Sequence, residues 1–347
     1  MISAAENFLC RHKLSSIPLI YEQIFRNAVA SEYFTDSEYR ALLDPEPSLL
    51  HEFLGYARRL RERAFGRRIG LCSIVSAKSG KCSEDCAFCA QSMFYKTGAP
   101  EHDVVEPGRV AEAARQAVAD GSSRFGIVAS GFAPGAGEFD ALKAAVRAAR
   151  GEGLTVDVSV GCLDAREIRA LKEAGASGVH HNLETGPAFF PSVCTTHDYE
   201  DDVEAVRTAK QAGAYVCSGG VFGLGESWED RLELALTLRA LGVDSVPINF
   251  LMPVPGTPME NRPLLSQEEA LRIVALFRFI IPQAHIRVAG GRHAIFPGHD
   301  RRRLYAAGAS GVMVGDYLTR AGAPPAEDAE DLVRLGLEPE RIAENVT

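Results

Sequence analysis

Hydrophobic residues follow two different spacings along this chain of 347 residues. Up to about residue 65 they recur every three to four positions, which predicts helices. From Ile69 onward, short β-branched or apolar runs alternate with longer amphipathic segments, which predicts strands followed by helices. We therefore expect an N-terminal helical extension (1–65), a strand–helix region (66–320) and a polar C-terminal tail (321–347) that packs outside it and ends in a helical stretch, 331–346.

Eight apolar runs are expected to be strands, and amphipathic segments lie between them. The runs are IGLCSIVSA (69–77), SRFGIVAS (123–130), LTVDVSV (154–160), GVHHNL (178–183), AYVCSGG (214–220), DSVPINFL (244–251), HIRVA (285–289) and GVMVG (311–315). One intervening helix opens with Ser266 and Glu269 at the spacing of a capping box. About eight strand–helix alternations favour a closed parallel (βα)8 barrel of the TIM type over an open sheet.

Composition narrows the kind of partner. A formal net charge of −9 argues against nucleic acid or an anionic membrane as a partner, because both attract basic surfaces. The sequence has no apolar run of about 18 residues and no signal-peptide pattern at its start. We therefore expect a cytoplasmic protein, in which the eight cysteines serve as thiols and not as disulfides.

The most informative stretch is KCSEDCAFCAQS, which directly follows the first expected strand. Cys82, Cys86 and Cys89 have the spacing C-x3-C-x2-C. Thiolates are soft ligands, and a short loop can bring three of them to one iron–sulfur cluster. A [4Fe–4S] cluster held by three cysteines leaves one iron open, and S-adenosylmethionine (SAM) can chelate that iron through its amino and carboxylate groups. A zinc site or three unrelated buried cysteines are the alternatives, but zinc would need a fourth ligand that the loop lacks.

In parallel barrels the chemistry gathers at the carboxyl ends of the strands, so polar residues there are candidates for the site. These candidates are the run His180–Thr185, the glycine-rich run Cys217–Glu226, Asn249 and Arg287. An unpaired guanidinium inside a barrel is costly, so Arg287 is expected to face an anion, a carbonyl group or a cluster. The run at 180–185 could also be a structural polar rim. His293 and His299 are expected in loops or on the surface.

Taken together, KCSEDCAFCAQS, HHNLET, VCSGGVFGLGE, VPINFL and RVAGGR resemble the biotin synthase family of the radical SAM superfamily. The likeness runs from about Cys72 to Thr319. It implies a (βα)8 barrel, a homodimer, and conversion of dethiobiotin to biotin through 5′-deoxyadenosyl radicals made from SAM. It also implies an auxiliary iron–sulfur cluster, [2Fe–2S] or a variant, as the sulfur donor, and flavodoxin or ferredoxin as the electron donor.

The resemblance also assigns residues. Cys82, Cys86 and Cys89 would hold the [4Fe–4S] cluster, and Cys217 and Arg287 match two ligands of the auxiliary cluster. The residues expected near SAM are Phe88, Asn182, Glu184, Gly223 and Glu226. Asn182 and Asn249 would contact the substrate.

Several positions depart from the pattern of the better-known family members. Gly126 and Asp157 stand where two auxiliary-cluster cysteines are expected, Glu184 replaces an aspartate, and Asp202 replaces an arginine that would contact the SAM carboxylate. Cysteines occur elsewhere instead, at Cys72, Cys162 and Cys194. Cys72 and Cys194 are similar to features of a second branch of the family. Together with Cys217 they could hold a differently ligated auxiliary cluster, with Cys162 as a fourth ligand, although Cys72 and Cys162 could also be small core residues.

Two alternatives to sulfur insertion remain open at the level of sequence. One is a related barrel enzyme without sulfur insertion, similar to methylornithine synthase or to a hydrogenase-maturation enzyme. Such an enzyme needs no sulfur-donating cluster, which agrees with the missing cysteines. The presence of Cys217, Asn249 and Arg287 argues against it. The other is a protein that only stores or senses through a cluster, which would not need a SAM-sized cavity.

Overall fold

The computed structural model describes residues 19–318, 322 and 324–341. Its central feature is a closed barrel of parallel strands, which confirms the predicted TIM-type (βα)8 fold. The strands are β1 (Arg68–Lys78), β2 (Arg124–Ala129), β3 (Thr155–Ser159), β4 (Ala176–His180), β5 (Tyr215–Cys217), β6 (Gly220–Phe222), β7 (Ser245–Phe250), β8 (His285–Val288) and β9 (Gly311–Met313). All eight predicted strands are present. β5 lies within the fifth predicted run, and β6 begins at the last residue of that run, Gly220.

The barrel closes where β1 pairs with β9, with Gly70 opposite Gly311 and Cys72 opposite Met313. The fifth strand of the barrel is interrupted and forms two short strands. β5 pairs with β4 and β7, whereas β6 pairs with β7 alone among the named strands. Gly219 lies in the break, and a Cβ atom there would be 2.1 Å from the carbonyl oxygen of Pro247. Only glycine allows this close approach, which explains the glycine-rich sequence at this point.

Helices cover the outside of the barrel. In chain order they are α1 (19–30), α2 (Asp36–Leu43), α3 (Leu50–Phe65), α4 (Pro107–Ala119), α5 (Ala136–Arg150), α6 (Ala165–Ala174), α7 (Tyr199–Gln211), α8 (Trp228–Leu241), α9 (Gln267–Ile280), α10 (Arg292–Ile295), α11 (Arg303–Ala306) and α12 (Pro325–Leu335). Ser266 caps α9 by accepting a hydrogen bond from the Glu269 amide, 3.1 Å. Glu269 itself pairs with Arg231 at 2.8 Å, so the first half of the predicted capping box forms and its carboxylate contacts the neighbouring helix.

Helices α1–α3 precede the first strand and pack on the barrel through α3. Phe53 is fully buried, with its ring 5.3 Å from that of Phe279 on α9 and 5.7 Å from that of Tyr21 on α1. The sequence analysis did not predict α2, which begins at a capping box formed by Thr35 and Glu38. Cys10 lies outside the described residues. The division of the chain near residue 65 stays a prediction.

The C-terminal tail differs from its prediction. Helix α12 ends at Leu335, where Gly336 adopts a left-handed conformation, and a short strand β10 (Glu338–Pro339) follows. The prediction of a helix over 331–346 is therefore wrong in two respects. The helix begins earlier, at Pro325, and residues 336–341 are not helical, because Gly336 ends the helix and β10 pairs with the start of β1. Residues 342–346 lie outside the described part of the chain.

A buried ion pair attaches the tail to the barrel. Arg292 on α10 and Asp328 on α12 are joined by two hydrogen bonds of 2.6 and 2.7 Å, and each side chain is 1% exposed. Within the described residues, none of the helices is long and hydrophobic enough to span a bilayer.

Candidate active site

The loop after β1 presents the three motif cysteines at the carboxyl end of the barrel. Main-chain hydrogen bonds fold it tightly, from Cys82 to the Gln91 carbonyl (3.0 Å), from Met93 to the Cys82 carbonyl (2.9 Å) and from Cys89 to the Cys86 carbonyl (2.9 Å). All three thiols are free and partly buried. Burial raises the pKa of Cys89 to about 11, so a bound metal would have to displace its proton. Three soft donors in one tight loop fit an iron–sulfur cluster.

A second segment, Val193–His197, packs against this loop, and we call it the clamp segment. Its contacts join main chain and side chains of both segments. They are Ala87 N to Val193 O (2.8 Å), Thr195 N to Asp85 Oδ1 (2.8 Å) and Thr196 Oγ1 to Glu84 Oε2 (2.6 Å). The sequence analysis did not predict this packing, although the polar run in CTTHDYE provides its donors.

Cys194 lies within the clamp segment and is 3% exposed. Its sulfur is 3.3 Å from Asp85 Oδ1 and 3.3 Å from His197 Nδ1. A hydrogen bond from Cys86 is the main cause that lowers the pKa of Cys194 to about 6. Cys194 therefore lies beside the cluster-binding loop, and the structure does not bring it to Cys72 and Cys217, with which the sequence analysis had grouped it.

A chain of ionisable residues continues from the clamp segment toward the end of β4. His197 contacts Glu84 through Nδ1 (2.7 Å) and Asp202 through Nε2 (3.3 Å), and Asp202 contacts His181 at 2.6 Å. Burial opposes the charged form of His197, but Asp202 and Glu84 outweigh it and raise the pKa of His197 to about 9. Asp202, at the position of the expected arginine, is thus paired with two imidazoles. Cys162 adjoins this group, since its sulfur lies within 4.8 Å of the ligand atoms of His181 and Asp202.

A cavity of about 480 Å3 fills the barrel from the cluster loop downward. Phe88 and Cys89 border its upper end, and Cys72, Cys217 and Arg287 border it from the strands. The wall between them is largely apolar and includes Val128, Val158, Val221, Phe250 and Leu251. A mostly apolar cavity with a few convergent polar groups is typical of a binding site for a small molecule.

Cys217 and Arg287 lie together at the floor of this cavity. Arg287 is 3% exposed, and its guanidinium donates to Ser245 Oγ (3.1 Å) and to the Gly70 carbonyl (3.2 Å). The side chain also interacts with Tyr215, and among the described residues its Nη2 atom makes no other hydrogen bond. Burial raises the pKa of Cys217 to about 12, opposed by the charge of Arg287. The structure thus brings together three predicted residues, Cys72, Cys217 and Arg287.

Arg124 and Asp157 form an ion pair beside this group that the sequence analysis missed. The guanidinium makes two hydrogen bonds to the carboxylate, of 2.8 and 2.7 Å, and lies 3.8 Å from the centre of the Tyr215 ring. Asp157 is directly opposite Gly126 in the pairing of β2 with β3. The two positions that lack the expected cysteines are therefore neighbours, and one of them holds a charge that Arg124 neutralises. An arginine at the start of an apolar strand was the available signal.

The polar residues that follow β4 form a connected group above the floor. His180 Nε2 lies 2.9 Å from Asn182 Oδ1, and Asn182 Nδ2 donates to Glu184 at 3.3 Å. Burial, reinforced by Asp202, raises the pKa of Glu184 to about 8. All three side chains border the cavity, as predicted for a site at the strand ends.

Asn249 borders the same cavity, but its amide already bonds to the main chain. It donates to the Gly220 carbonyl at 3.2 Å and accepts from the Gly290 amide at 3.0 Å. These bonds fix its orientation and leave one N–H and one lone pair for a ligand.

Gly223 and Glu226 do not border the cavity. Glu226 is buried and accepts hydrogen bonds from the amides of Gly223 and Gly225, both at 3.0 Å, and from Arg231 at 2.8 Å. These contacts show that Glu226 supports the glycine-rich turn from within. Its predicted place near SAM stays a prediction.

His293 was expected in a loop or on the surface and instead lies on α10, where it borders the cavity. Burial lowers the pKa of His293 to about 4, so the ring is neutral at pH 7. His299 contacts Asp331 at 2.8 Å and is 45% exposed, as expected for a surface residue.

Comparisons with known proteins agree with this architecture. Residues 76–238 match the radical SAM superfamily, and residues 247–338 match the biotin and thiamin synthesis associated domain. Among solved structures, methylornithine synthase is similar with a TM-score of 0.79 at 20% identity, covering 92% of this chain and 98% of that one. The hydrogenase maturase HydG from Carboxydothermus hydrogenoformans is also similar, with a TM-score of 0.79 at 20% identity. The match covers 96% of this chain and 81% of the HydG chain. At this identity the likeness shows the fold alone.

The barrel, the three-cysteine loop and the match to the superfamily define a radical SAM protein. Sequence relatives narrow the class. Biotin synthase from Syntrophotalea carbinolica is 48% identical over 310 residues, which is 88% of this chain and 94% of the relative. Biotin synthase from Geobacter sulfurreducens is 49% identical over 284 residues, 81% and 86% of the two chains. The chain belongs to the biotin synthase family.

Proposed function

We propose that this protein is a sulfur-inserting radical SAM enzyme that converts dethiobiotin to biotin. The observation that carries the proposal is the two-ended cavity, which has a three-cysteine loop at its mouth and Cys217 with Arg287 at its floor. When bound, a [4Fe–4S] cluster with SAM would supply hydrogen abstraction from an unactivated carbon, and an auxiliary iron–sulfur cluster would supply sulfur. Acid–base groups of the protein cannot cleave such a C–H bond by themselves, so the protein's part is positioning and protection.

The protein's own residues have separable tasks. Cys82, Cys86 and Cys89 would hold the first cluster at the mouth, and Cys72, Cys217 and Arg287 would hold the sulfur-donating group at the floor. A ligand between them would be enclosed by apolar side chains, which exclude water and other groups that quench radicals.

Polar side chains would orient the substrate and SAM within this enclosure. Asn249 is held by the main chain and presents its remaining donor and acceptor to a urea-like group. Asn182 and Glu184 are placed to bind hydroxyl groups near the mouth. The raised pKa of Glu184 makes it a neutral hydrogen-bond donor over much of the range below pH 8.

The proposal includes the partners that the family implies. A small electron-transfer protein, flavodoxin or ferredoxin, would reduce the cluster at the mouth, and the enzyme would act in the cytoplasm as a homodimer. The exposure of the cluster loop supports the electron-transfer partner. Met93 and Phe94, next to the cysteines, are 66% and 58% exposed and accessible to a partner.

The deciding experiment measures both halves of the reaction. The protein is purified without oxygen, loaded with iron and sulfide, and its clusters are counted by Mössbauer spectroscopy. Reductant, SAM and dethiobiotin are then added, and 5′-deoxyadenosine and biotin are quantified. Both products are expected. Deoxyadenosine without biotin would refute sulfur insertion and favour a mutase-like relative, and no SAM cleavage would refute the radical reaction itself.

A further inference from the structure

A second cavity of about 710 Å3 lies at the amino ends of the strands, below the floor of the active-site cavity. Arg68, Thr155 and His285 border it at the starts of β1, β3 and β8. Three residues border both cavities, namely Arg124, Tyr215 and Arg287. They form a partition between the lower cavity and the active-site cavity, which Cys217 borders.

The partition contains polar groups whose contacts are few. Among the described residues, Arg287 and Tyr215 interact with each other, and Arg287 Nη2 and Tyr215 Oη make no other hydrogen bond. Gly70 and Gly311 leave the space for the guanidinium, because a Cβ atom on Gly70 would be 2.9 Å from Arg287 Nη1 and one on Gly311 would be 2.8 Å from Arg287 Cγ. A buried guanidinium has more donors than these contacts use, so a ligand with lone pairs could bind it.

The lower cavity carries a small excess of positive charge. Four arginines line it, namely Arg68, Arg124, Arg287 and Arg341, and with Arg124 paired to Asp157 three remain against the two glutamates Glu338 and Glu340. Arg124 is neutralised by Asp157, and Glu340 contacts His285 at 3.4 Å. Arg68 and Arg341 are exposed and stand at the opening.

The segment around β10 that closes this cavity is short. Glu338 donates its amide to the Arg67 carbonyl (3.0 Å), and Glu340 donates its amide to the Ile69 carbonyl (2.8 Å). Both glutamates lie at an edge of the barrel, and strand β10 has two residues. The lower cavity thus reaches solvent along a thin exposed edge, whereas the upper cavity would be occupied by substrate and SAM during the reaction.

We propose that the lower cavity is an entry route for a small soft anion, hydrosulfide, to the Cys217 and Arg287 site. This inference rests on the proposed function, because each biotin made would consume sulfur from that site. Hydrosulfide would cross the partition intact, with its charge balanced by Arg287, and no bond would form or break in the cavity. Sulfur would then be replaced from below without passing the substrate.

The test reverses the charges at the opening in the variant R68E/R341E, with the exposed pair R109E/R166E as a control of equal charge change. Protein without clusters is first saturated with dethiobiotin, which would occupy the upper cavity. It is then treated with iodoacetate, an anion, or with iodoacetamide, which is neutral, and alkylation of Cys217 is followed by mass spectrometry. We expect R68E/R341E to slow the iodoacetate reaction at least about fivefold at low salt, because a focused charge steers anions. Its iodoacetamide reaction should match wild type, and the control pair should change neither rate. Equal iodoacetate rates in the two double variants would overturn the proposal.

A second measurement uses the loaded enzyme and separates this proposal from the proposed function. After one round of turnover, iron and sulfide are added and rebuilding of the auxiliary cluster is followed by absorbance and Mössbauer spectroscopy. Slower rebuilding in R68E/R341E, with an unchanged first round of biotin formation, is expected. If wild type forms no biotin, the proposed function fails, whereas unchanged rebuilding with normal first-round biotin refutes the entry route alone.

Discussion

At the scale of single residues, the floor of the cavity holds a buried charge that is costly to desolvate and the residues proposed to donate sulfur. Cys217 and Arg287 border the same floor, and a buried guanidinium is retained there against a desolvation penalty. A protein that used this cavity only to cleave SAM would gain nothing from such an arrangement. Under the proposed function, the floor residues would therefore serve sulfur insertion, and SAM cleavage would take place at the other end.

Cys217→Ala should keep SAM cleavage and lose biotin formation. Deoxyadenosine formation should stay within about threefold of wild type, because the change removes a group remote from the cluster loop. Biotin should fall to background. The matched control is Cys162→Ala, which changes a cysteine beside His181 and Asp202 and should retain biotin formation. Biotin formation at wild-type rates in Cys217→Ala would remove this residue from the sulfur-donating site.

Asp157→Ala should destabilise the protein through Arg124. Both side chains are largely buried, with exposures of 13% and 17%, so the variant leaves a guanidinium without its counter-ion. The free energy of unfolding should fall by about 3 kcal/mol, as is usual when one partner of a buried pair is removed. Urea unfolding of the cluster-free protein measures it. Asp140→Ala, which breaks an exposed pair with Lys143, should leave the curve unchanged. A similarly unchanged curve for Asp157→Ala would contradict the assigned role of the pair.

His293→Asn should weaken the dependence of stability on acid pH. The pKa of His293 is about 4 in the folded protein, below its ordinary value of 6.5, because burial and Arg292 disfavour the charged ring. A depressed folded pKa gives stability that is present above pH 6.5 and is lost as the pH falls toward 4. Unfolding measured from pH 7 to 4.5 should therefore show a smaller loss in the variant than in wild type. Parallel curves would show that His293 is not buried as described.

At the scale of elements, the cluster loop depends on a neighbour that comes more than a hundred residues later. The clamp segment bonds to the loop through main-chain and side-chain groups, and Asp85 accepts from both the amide and the hydroxyl group of Thr195. Although burial opposes it, these bonds lower the pKa of Asp85 to about 2, so the carboxylate is charged at any pH of interest. These bonds hold the loop in the shape described above.

Asp85→Ala should loosen the cluster without unfolding the barrel. Partners that orient metal ligands commonly change metal retention by about 10–100-fold, and we expect iron loss to a chelator to accelerate by about tenfold. The far-ultraviolet circular dichroism should be unchanged. Asp103→Ala alters an exposed carboxylate just beyond the loop and serves as the control. If both variants lose iron at the wild-type rate, the clamp segment does not support the cluster.

The sequence predicted the strands well because each is a short apolar run bounded by glycine or by polar helical segments. β8 (His285–Val288) and β9 (Gly311–Met313) were found despite their brevity for this reason. The three-cysteine loop was readable from spacing alone. The clamp segment was not, since hydrogen bonds between Asp85 and Thr195 join loops that no local pattern connects. Likeness to a family compares one position at a time. It therefore could not reveal that Arg124 neutralises Asp157, the residue that stands where a cysteine is expected.

At the scale of the whole molecule, the two ends of the barrel are closed by different parts of the chain. The cluster loop and the clamp segment cover the carboxyl end, and the C-terminal tail borders the amino end through β10. Helix α12 anchors that tail, since Arg292 pairs with Asp328 and Arg301 pairs with Asp331 at 2.9 Å. The tail is therefore part of the folded unit, although its composition is polar.

Asp328→Ala should detach the tail from the barrel, because Arg292 would remain buried without its counter-ion. Breaking a buried pair in this way costs about 3–5 kcal/mol, more than helix α12 gains from its few buried apolar contacts, so the loss should be local. Hydrogen exchange should become faster in α12 and β10, while the amides of β2 to β4 keep their protection. Glu330→Ala, which breaks an exposed pair with Arg334, should leave exchange in α12 close to wild type. Faster exchange throughout the barrel would instead mean that the tail is needed for the closure between β1 and β9, and the amino end would then be a structural seal in place of an entrance.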